Sequence, residues 1–172
     1  MTQYFHIHPE NPQARLIKQA VQIIRNGGVI AYPTDSAYAL GCHLGDKEAL
    51  AKIVRIRQLD DKHHFTLLCR DLSEIATYAK VDNATYRLLK AHTPGAYTFI
   101  LTGSSEVPRR LMHPKRKTIG LRVPDHPICQ ALLAELNEPL LTATLQLPDD
   151  TEPLFDPDDI LERLGKQLDL VI

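Results

Sequence analysis

Short apolar runs typical of buried strands alternate with amphipathic stretches typical of helices along almost the whole chain. The strand-type runs lie at residues 29–32, 65–69, 97–101, 118–123, 140–147 and 168–172. Helix-type stretches fill the intervals between them, and many follow a capping residue, namely Asn11, Asp46, Asp71, Asp82 or Asp156. This alternation predicts an α/β fold in which helices flank a twisted parallel or mixed sheet.

The helix-type stretches give definite expectations about their limits and inner faces. We expect the first helix to begin at Asn11-Pro12, to end at Gly27-Gly28, and to bury Leu16, Ala20, Val21 and Ile24. The helix after Asp46 should bury Ala49, Leu50, Ile53 and Val54. Further helices are expected from Asp82 to Thr93, at 126–136 and at 156–164, with a short arginine-rich helix before residue 118.

The length of 172 residues indicates a single domain over residues 1–172 that buries about 70% of its unfolded surface. The final strand pattern runs to the last residue, Ile172. We interpret this as a chain truncated at the C-terminus, with one edge of the sheet missing.

Composition excludes several classes of protein. The formal net charge of −1 excludes a globally basic nucleic-acid binder, so any basic surface must be local. No apolar run is long enough to span a membrane, and the N-terminus lacks a secretory signal. Cys42, Cys69 and Cys129 lie far apart among apolar neighbours, which predicts buried free thiols in a reducing cytoplasm. The histidines lack metal-ligand spacing, so no metal site is expected.

The stretch IAYPTDSAYALGC at 30–42 places Thr34, Asp35 and Ser36 between two apolar flanks. These polar side chains either form a capped turn or line a binding site. A second polar pair, Thr142 and Thr144, places two hydroxyl groups on one face of a strand, although threonine is also common in strands for its shape.

Cations cluster in two places. Arg55 and Arg57 close the second helix, where they either complement the helix C-terminus or form a phosphate clamp. Residues 107–124 contain six cations and no acid. Arg122 differs from the others because it alternates with apolar residues at a strand end, a position suited to a carboxylate or phosphate. The remaining five are Arg109, Arg110, Lys115, Arg116 and Lys117, which form either a solvated face or an RNA-binding patch.

No glycine-rich dinucleotide or P-loop motif is present, so a phosphate would have to be bound by side chains. Several stretches nevertheless occur in a recognisable order, namely PTDSAYALGC, RIR before FTLL, TPGAYTFIL, KTIGLRVPDHPI and LLTATLQLP. From about residue 10 onward, this series resembles the YrdC family of threonylcarbamoyl-AMP synthases, and within it the YciO branch.

The resemblance implies a twisted α/β fold with a concave, positively charged cleft. It also implies condensation of L-threonine, bicarbonate and ATP into threonylcarbamoyl-AMP and pyrophosphate, with Mg²⁺ accompanying the ATP, in the pathway to the t6A base of tRNA. Some family members are described as binding double-stranded RNA. Threonine would be bound by Thr34, Ser36 and Arg122. The nucleotide would be bound by Arg55, Arg57, Thr118, Thr142 and Thr144, with Arg55 and Arg57 acting on the phosphates.

The sequence departs from the family pattern at two of these positions and at the residue between Arg55 and Arg57. The family has lysine at residue 55, glycine at residue 56 and asparagine at residue 144, where this chain has arginine, isoleucine and threonine. A planar guanidinium does not replace a compact ammonium at a phosphate, and a hydroxyl offers fewer hydrogen bonds than an amide. The departures predict weak or altered synthase activity. The alternatives are binding of double-stranded RNA or tRNA in the same cleft, or nucleotide binding without synthesis.

Overall fold

The computed structural model describes residues 2–59 and 65–172, and within them the chain forms an eight-stranded mixed sheet. The strands are β1 (Gln3–Tyr4), β2 (Ile30–Tyr32), β3 (Ala39–His43), β4 (Thr66–Leu68), β5 (Phe99–Thr102), β6 (Thr118–Arg122), β7 (Leu140–Thr144) and β8 (Leu170–Val171). Their order across the sheet is β1-β8-β2-β3-β7-β4-β6-β5. The strand pairs β1–β8, β2–β8 and β4–β6 are parallel and the others are antiparallel, so the α/β expectation with a mixed sheet is confirmed.

Helices pack on both faces of this sheet. They are α1 (Ala14–Arg25), α2 (Lys47–Arg57), α3 (Leu72–Tyr78), α4 (Asn83–His92), α5 (Pro127–Leu136) and α6 (Pro157–Leu164), with a 3-10 turn at Arg109–Leu111. Apolar side chains of α1 and α5 form one buried cluster with residues of β2 and β8. Those of α2, α3, α4 and α6 form a second cluster with the opposite sheet face.

Aspartate caps start four of the helices as the sequence predicts. Asp46 accepts a hydrogen bond from the Ala49 N–H at 3.0 Å, which anchors the first turn of α2. The carboxylates of Asp71, Asp82 and Asp156 accept equivalent bonds at the starts of α3, α4 and α6. These bonds satisfy N–H groups that have no partner inside a helix.

The predicted start of α1 is wrong. The helix begins at Ala14, because the preceding turn is organised by His8 and not by Asn11. The Nδ1 atom of His8 accepts hydrogen bonds from the Glu10 and Asn11 N–H groups at 3.1 and 2.9 Å. On the buried face of this helix lies Ile17, whereas Leu16, which we expected there, is only partly buried.

One helix face and one strand also differ in detail from the sequence expectation, and the buried face of α4 becomes clear. Ile56 replaces Val54 among the buried residues of α2, because it lies one turn after Ile53 and faces the sheet. On α4, Leu89 is buried whereas Leu88 is exposed. Strand β7 ends at Thr144, short of the predicted end at residue 147.

Strand β3 is not among the strands that the sequence predicts. In the structure Gly41 lies inside the strand, paired with Ile30 on one side and Thr142 on the other. A Cβ atom at this position would lie 2.8 Å from the Tyr32 ring and 2.9 Å from the Leu140 side chain. Glycine is therefore required here for close packing.

The final strand, β8, lies inside the sheet between β1 and β2, and so it is not an edge strand. The sheet edges are β1 and β5. Within the described part of the chain, no helix is both long and apolar enough to cross a membrane.

Candidate functional site

The helices leave part of one sheet face uncovered. On the side of α1 and α5, these helices cover Leu68 and Leu140. Because strand side chains alternate, Thr66, Thr142 and Thr144 point to the same side. Strand pairing aligns Thr142 with Thr66 and Thr66 with Gly120, so these residues form a row across the sheet. The row ends at Ile100 of β5, which is 49% exposed. We call the surface formed by Thr66, Ile100, Thr118, Gly120, Thr142 and Thr144 the open face.

The Thr142 hydroxyl is held in place by a buried tyrosine of β2 on the same side of the sheet. Its Oγ1 atom lies 2.5 Å from the Tyr32 hydroxyl, and both side chains are buried. Burial raises the pKa of Tyr32 far above its ordinary value of 10.0, so the phenol stays neutral. Thr142 is therefore a fixed hydroxyl on the floor, whereas Thr144, at the end of β7, is exposed.

The loop at 33–37 forms one end of the open face. The Thr34 Oγ1 atom accepts hydrogen bonds from the Ser36 and Ala37 N–H groups, both at 3.1 Å, and donates to the Ala37 carbonyl at 2.5 Å. The Cys129 thiol donates to the Pro33 carbonyl at 3.2 Å. Thr34 thus shapes a hydroxyl turn, one of the two interpretations open from the sequence, and this turn presents the exposed Ser36.

Arg122 lies on the same side of β6 as Gly120 and is held by protein groups at two of its nitrogen atoms. Its Nη2 atom forms an ion pair with Asp35, and its Nε atom donates to the Gly95 carbonyl at 3.3 Å. The side chains of Arg122 and Asp35 are only 11% and 12% exposed. Asp35 Oδ2 also accepts a hydrogen bond from the Asp125 N–H at 2.8 Å, just before α5.

The sequence indicates that Arg122 is suited to a carboxylate or a phosphate, and the structure places a carboxylate of the protein itself beside it. This partner, Asp35, lies 87 residues earlier in the chain. The sequence gives no signal for the pairing, because it arises only when the loop after β2 folds toward β6. Sequence reasoning likewise missed Tyr32 and Thr66, since an apolar strand context conceals a hydroxyl that faces a site.

The structure does not bring Arg55 and Arg57 together. Residues two apart on a helix are separated by about 200° around its axis. The Arg57 Nε atom donates to the Gln146 carbonyl at 3.0 Å, so this side chain reaches the segment that follows β7. Arg55 is exposed and lines a separate groove of about 610 Å³ with Lys52 and residues 165–169.

The remaining cations lie near the other end of β6 from Arg122. Arg109, Arg110, Lys115, Arg116 and Lys117 are all exposed. Lys117 directly precedes Thr118, the first residue of β6, so β6 separates the basic run from Arg122 by about 15 Å. Thr118 is paired with Thr102 at this end of the open face.

The cysteines belong to the core and not to the site chemistry. Cys42, Cys69 and Cys129 are free and buried, as the sequence predicts. Burial raises the pKa of Cys42 to about 12 and that of Cys129 to about 12, so both remain thiols near neutral pH.

The fold and site define an α/β protein whose sheet presents a threonine-lined face between a hydroxyl turn and a buried arginine–aspartate pair. The sequence profile of the Sua5/YciO/YrdC family, described as "Telomere recombination", matches residues 22–172. The chain belongs to this family.

Three relatives illustrate the range of similarity. Against Escherichia coli YciO the chain is 62% identical over its full length, which spans 84% of that protein, and the YciO crystal structure superposes with a TM-score of 0.97. Against the threonylcarbamoyl-AMP synthase of Vibrio vulnificus it is 27% identical, with 91% of this chain and 84% of that protein covered. The structure of P. abyssi Sua5 complexed with L-threonine has a TM-score of 0.84 at 21% identity, covering all of this chain and 49% of Sua5.

Proposed function

We propose that this protein is a threonylcarbamoyl-AMP synthase of the YciO type, with lower activity than the family's main synthases. The observation that carries the proposal is the placement of Arg122, beside an exposed serine turn, at one end of a face lined with threonine hydroxyls. The family membership, the named activity of the Vibrio relative and the threonine complex of Sua5 support it.

In the proposed reaction the threonine amine and bicarbonate form a carbamate with loss of water. A carbamate oxygen then attacks the α-phosphate of ATP, and the bond to pyrophosphate breaks. No protein nucleophile is needed, so the protein accelerates the reaction by orienting the reactants and by balancing charge. This agrees with the high pKa values of the buried thiols.

The proposed roles follow the positions of the side chains. Arg122 and Ser36 bind threonine at the loop end, where Thr34 fixes the turn. Thr118, Thr142 and Thr144 line the nucleotide part of the open face. We assign Arg57 to the phosphates, because its side chain reaches the Gln146 carbonyl just after β7. Burial lowers the pKa of Arg57 from the ordinary value of 12.5. Arg55 is the weaker candidate for a phosphate contact, because its groove is separate.

Magnesium fits this scheme as part of the substrate MgATP. Within residues 2–59 and 65–172, no group of three or more histidine, cysteine or acidic side chains is arranged to hold a metal. A magnesium ion that binds through nucleotide phosphates needs few protein ligands. The bound ion would neutralise charge on the phosphates.

The first test is an adenylate-forming assay with ATP, L-threonine and bicarbonate, read by chromatography of the products. We expect threonylcarbamoyl-AMP and pyrophosphate to appear together. Arg57→Ala should lower the rate at least tenfold, because it removes the cation that we propose to contact the nucleotide phosphates. Arg55→Ala, from the same helix, is the matched control and should change the rate less than twofold.

The absence of adenylate at saturating substrates contradicts the proposal. Calorimetric binding of ATP without any product would then identify the protein as a nucleotide binder that lacks the synthase reaction. Equal losses in the two arginine variants would show instead that Arg55 shares the phosphate role that the sequence predicts.

A second candidate function is binding of double-stranded RNA by the basic run 109–117. Its five cations are exposed, and in the described part of the chain none forms an ion pair with a carboxylate. Such cations recognise the RNA backbone by charge and shape. Because the run and Arg122 lie at opposite ends of β6, mutation of the run should leave the threonine end of the proposed synthase site intact.

A further inference from the structure

A groove outside the open face lies between α2 and the turn that joins α6 to β8. Its volume is about 610 Å³, a size typical of small-molecule sites, and two of the residues that line it, Ile56 and Leu168, are buried. Helices α2 and α6 pack on the sheet face opposite the one that α1 and α5 cover. This groove, which we call the α2–α6 groove, and the open face therefore lie on different sides of the sheet.

Three cations line the α2–α6 groove. Lys52 and Arg55 come from α2, where residues three apart lie on the same face, and Lys166 comes from the turn after α6. Within the described residues, none of the three forms an ion pair with a carboxylate of the protein. Their charges are therefore available to a ligand.

The acids near the groove do not neutralise these cations. Asp169 also lines it, but the Oδ2 atom of Asp169 accepts a hydrogen bond from the Val29 N–H at 2.8 Å, which ties this carboxylate to the residue before β2. Glu48, the only acid of α2, lies one turn before Lys52, and in the described part of the chain the two form no ion pair. With three cations against one carboxylate, the lining keeps a net positive charge.

Cations near the end of a helix often serve only to complement its terminal carbonyl groups. At the end of α6, protein donors already occupy such groups. The Leu164 carbonyl accepts from the Gln167 and Leu168 N–H groups at 2.8 and 3.2 Å. The Leu168 carbonyl in turn accepts from the Thr2 hydroxyl at 2.6 Å. Lys166 is thus not needed to complete the turn, and these bonds hold the turn in place before any ligand binds.

The arrangement of the cations suits an anion longer than a single phosphate. Residues spaced as Lys52 and Arg55 are have Cβ atoms about 5–6 Å apart, and Lys166 approaches from a different element. The positive charge is therefore spread along the groove. A pyrophosphate group spreads its negative charge over two phosphorus centres and offers acceptor oxygens to each cation. The buried apolar lining strengthens the attraction, because opposite charges attract more strongly where water is partly excluded.

We propose that the α2–α6 groove is an anion site separate from the open face, which binds the pyrophosphate group of a small molecule through Lys52, Arg55 and Lys166. Two kinds of molecule supply this chemistry, namely free inorganic pyrophosphate and a nucleoside diphosphate. The inference goes beyond the proposed function and does not depend on it, because neither Lys52 nor Lys166 belongs to the proposed synthase site.

The test is an NMR titration of the isotope-labelled full chain with inorganic pyrophosphate, ADP and inorganic phosphate. The Gly165 and Gln167 amide signals report the groove, and the Gly120 amide signal reports the open face. We expect pyrophosphate and ADP to shift the groove signals saturably, and inorganic phosphate to bind at least tenfold more weakly. In Lys52→Ala/Lys166→Ala the affinity read from these signals should fall at least tenfold, because two of the three cations are lost.

The matched control is Arg15→Ala/Lys18→Ala, which removes two exposed cations from α1 and should change the affinity less than twofold. If Lys52→Ala/Lys166→Ala does not fold, Arg55→Ala at its exposed position should still lower the affinity at least threefold. Equal affinities for pyrophosphate and ADP would identify free pyrophosphate as sufficient, and tighter binding of ADP would identify a nucleotide as the ligand.

Three results overturn the inference. The first is the absence of a saturable shift in the groove signals, including a titration in which only the Gly120 signal moves. The second is an equal loss of affinity in the groove variant and in the control variant, since the anion would then respond to overall charge. The third is binding of inorganic phosphate as tight as that of pyrophosphate.

Discussion

Gly41 shows how one residue determines the fit between two strands. Alanine at this position would place its Cβ 2.8 Å from the Tyr32 ring and 2.9 Å from Leu140, closer than such atoms normally approach. Both neighbours are buried, so neither side chain can move into solvent. Because Tyr32 also holds the Thr142 hydroxyl, a shift at Gly41 reaches the floor of the open face.

We therefore expect Gly41→Ala to lower the free energy of unfolding by about 2 kcal/mol, the range found for overpacked cores. Denaturant unfolding followed by circular dichroism measures this. Gly95→Ala is the control, because a Cβ there would meet only the His92 carbonyl oxygen, at 3.4 Å. A loss of stability as large in Gly95→Ala as in Gly41→Ala would show that the close contact is not the cause.

Arg122 and Thr34 show how much a sequence can reveal about a site. The position of Arg122 in an apolar strand sets it apart from the other cations of residues 107–124, and in the structure its side chain is almost buried. Its partner could not be predicted, because local patterns carry no information about which distant loop folds against a strand. For Thr34, the sequence leaves two interpretations open, and hydrogen-bond geometry identifies the turn.

Among the elements, helices with an aspartate cap are those that the sequence predicts best. The cap is a local interaction, so Asp46, Asp71 and Asp82 identify helix starts without knowledge of the fold. Strand β3 is missed because a strand depends on its neighbours. Its central glycine makes sense only once Tyr32 and Leu140 lie on either side of it.

The cap of α5 makes this element sensitive to pH. His126 Nδ1 accepts a hydrogen bond from the Ile128 N–H at 3.1 Å, which requires an unprotonated Nδ1. Burial lowers the pKa of His126 from its ordinary value of 6.5, although Asp125 acts in the opposite direction. The folded state therefore binds this proton less readily than the unfolded state.

It follows that the His126 contribution to stability is complete above pH 6.5, falls as the pH drops below that value, and is lost below the folded-state pKa. His126→Asn keeps a side-chain acceptor at the cap but does not titrate. We expect the stability of the wild-type protein relative to this variant to fall between pH 7 and pH 5, measured by denaturant unfolding. A difference that is independent of pH contradicts the prediction.

The order of the strands is a property of the whole molecule. The sequence predicts an α/β sheet, because alternating patterns are visible along the chain. It does not predict that β8 lies between β1 and β2, or that β7 joins β3 to β4. These pairings set the positions of the site residues, since they align Thr142 with Thr66 and place Arg122 beyond Gly120.

The same topology separates two charged regions of the molecule, and this permits a test of RNA binding. The basic run at 109–117 lies near the start of β6, whereas Arg122 ends this strand. We expect Arg109→Ala/Arg110→Ala to weaken binding of a short RNA duplex at least fivefold in a gel shift at low salt, and to reduce its salt dependence, since two phosphate contacts are lost. Adenylate formation should be unchanged.

The matched control is Arg15→Ala/Lys18→Ala, which removes two exposed cations from α1 and changes the net charge equally. If both double variants weaken the shift to the same degree, the duplex responds to overall charge and not to the basic run. If the wild-type protein gives no shift at low salt, RNA binding is excluded as the function of this surface. A loss of adenylate formation in Arg109→Ala/Arg110→Ala would instead place these arginines in the synthase site. That result would contradict the expected separation of the basic run from the site at Arg122.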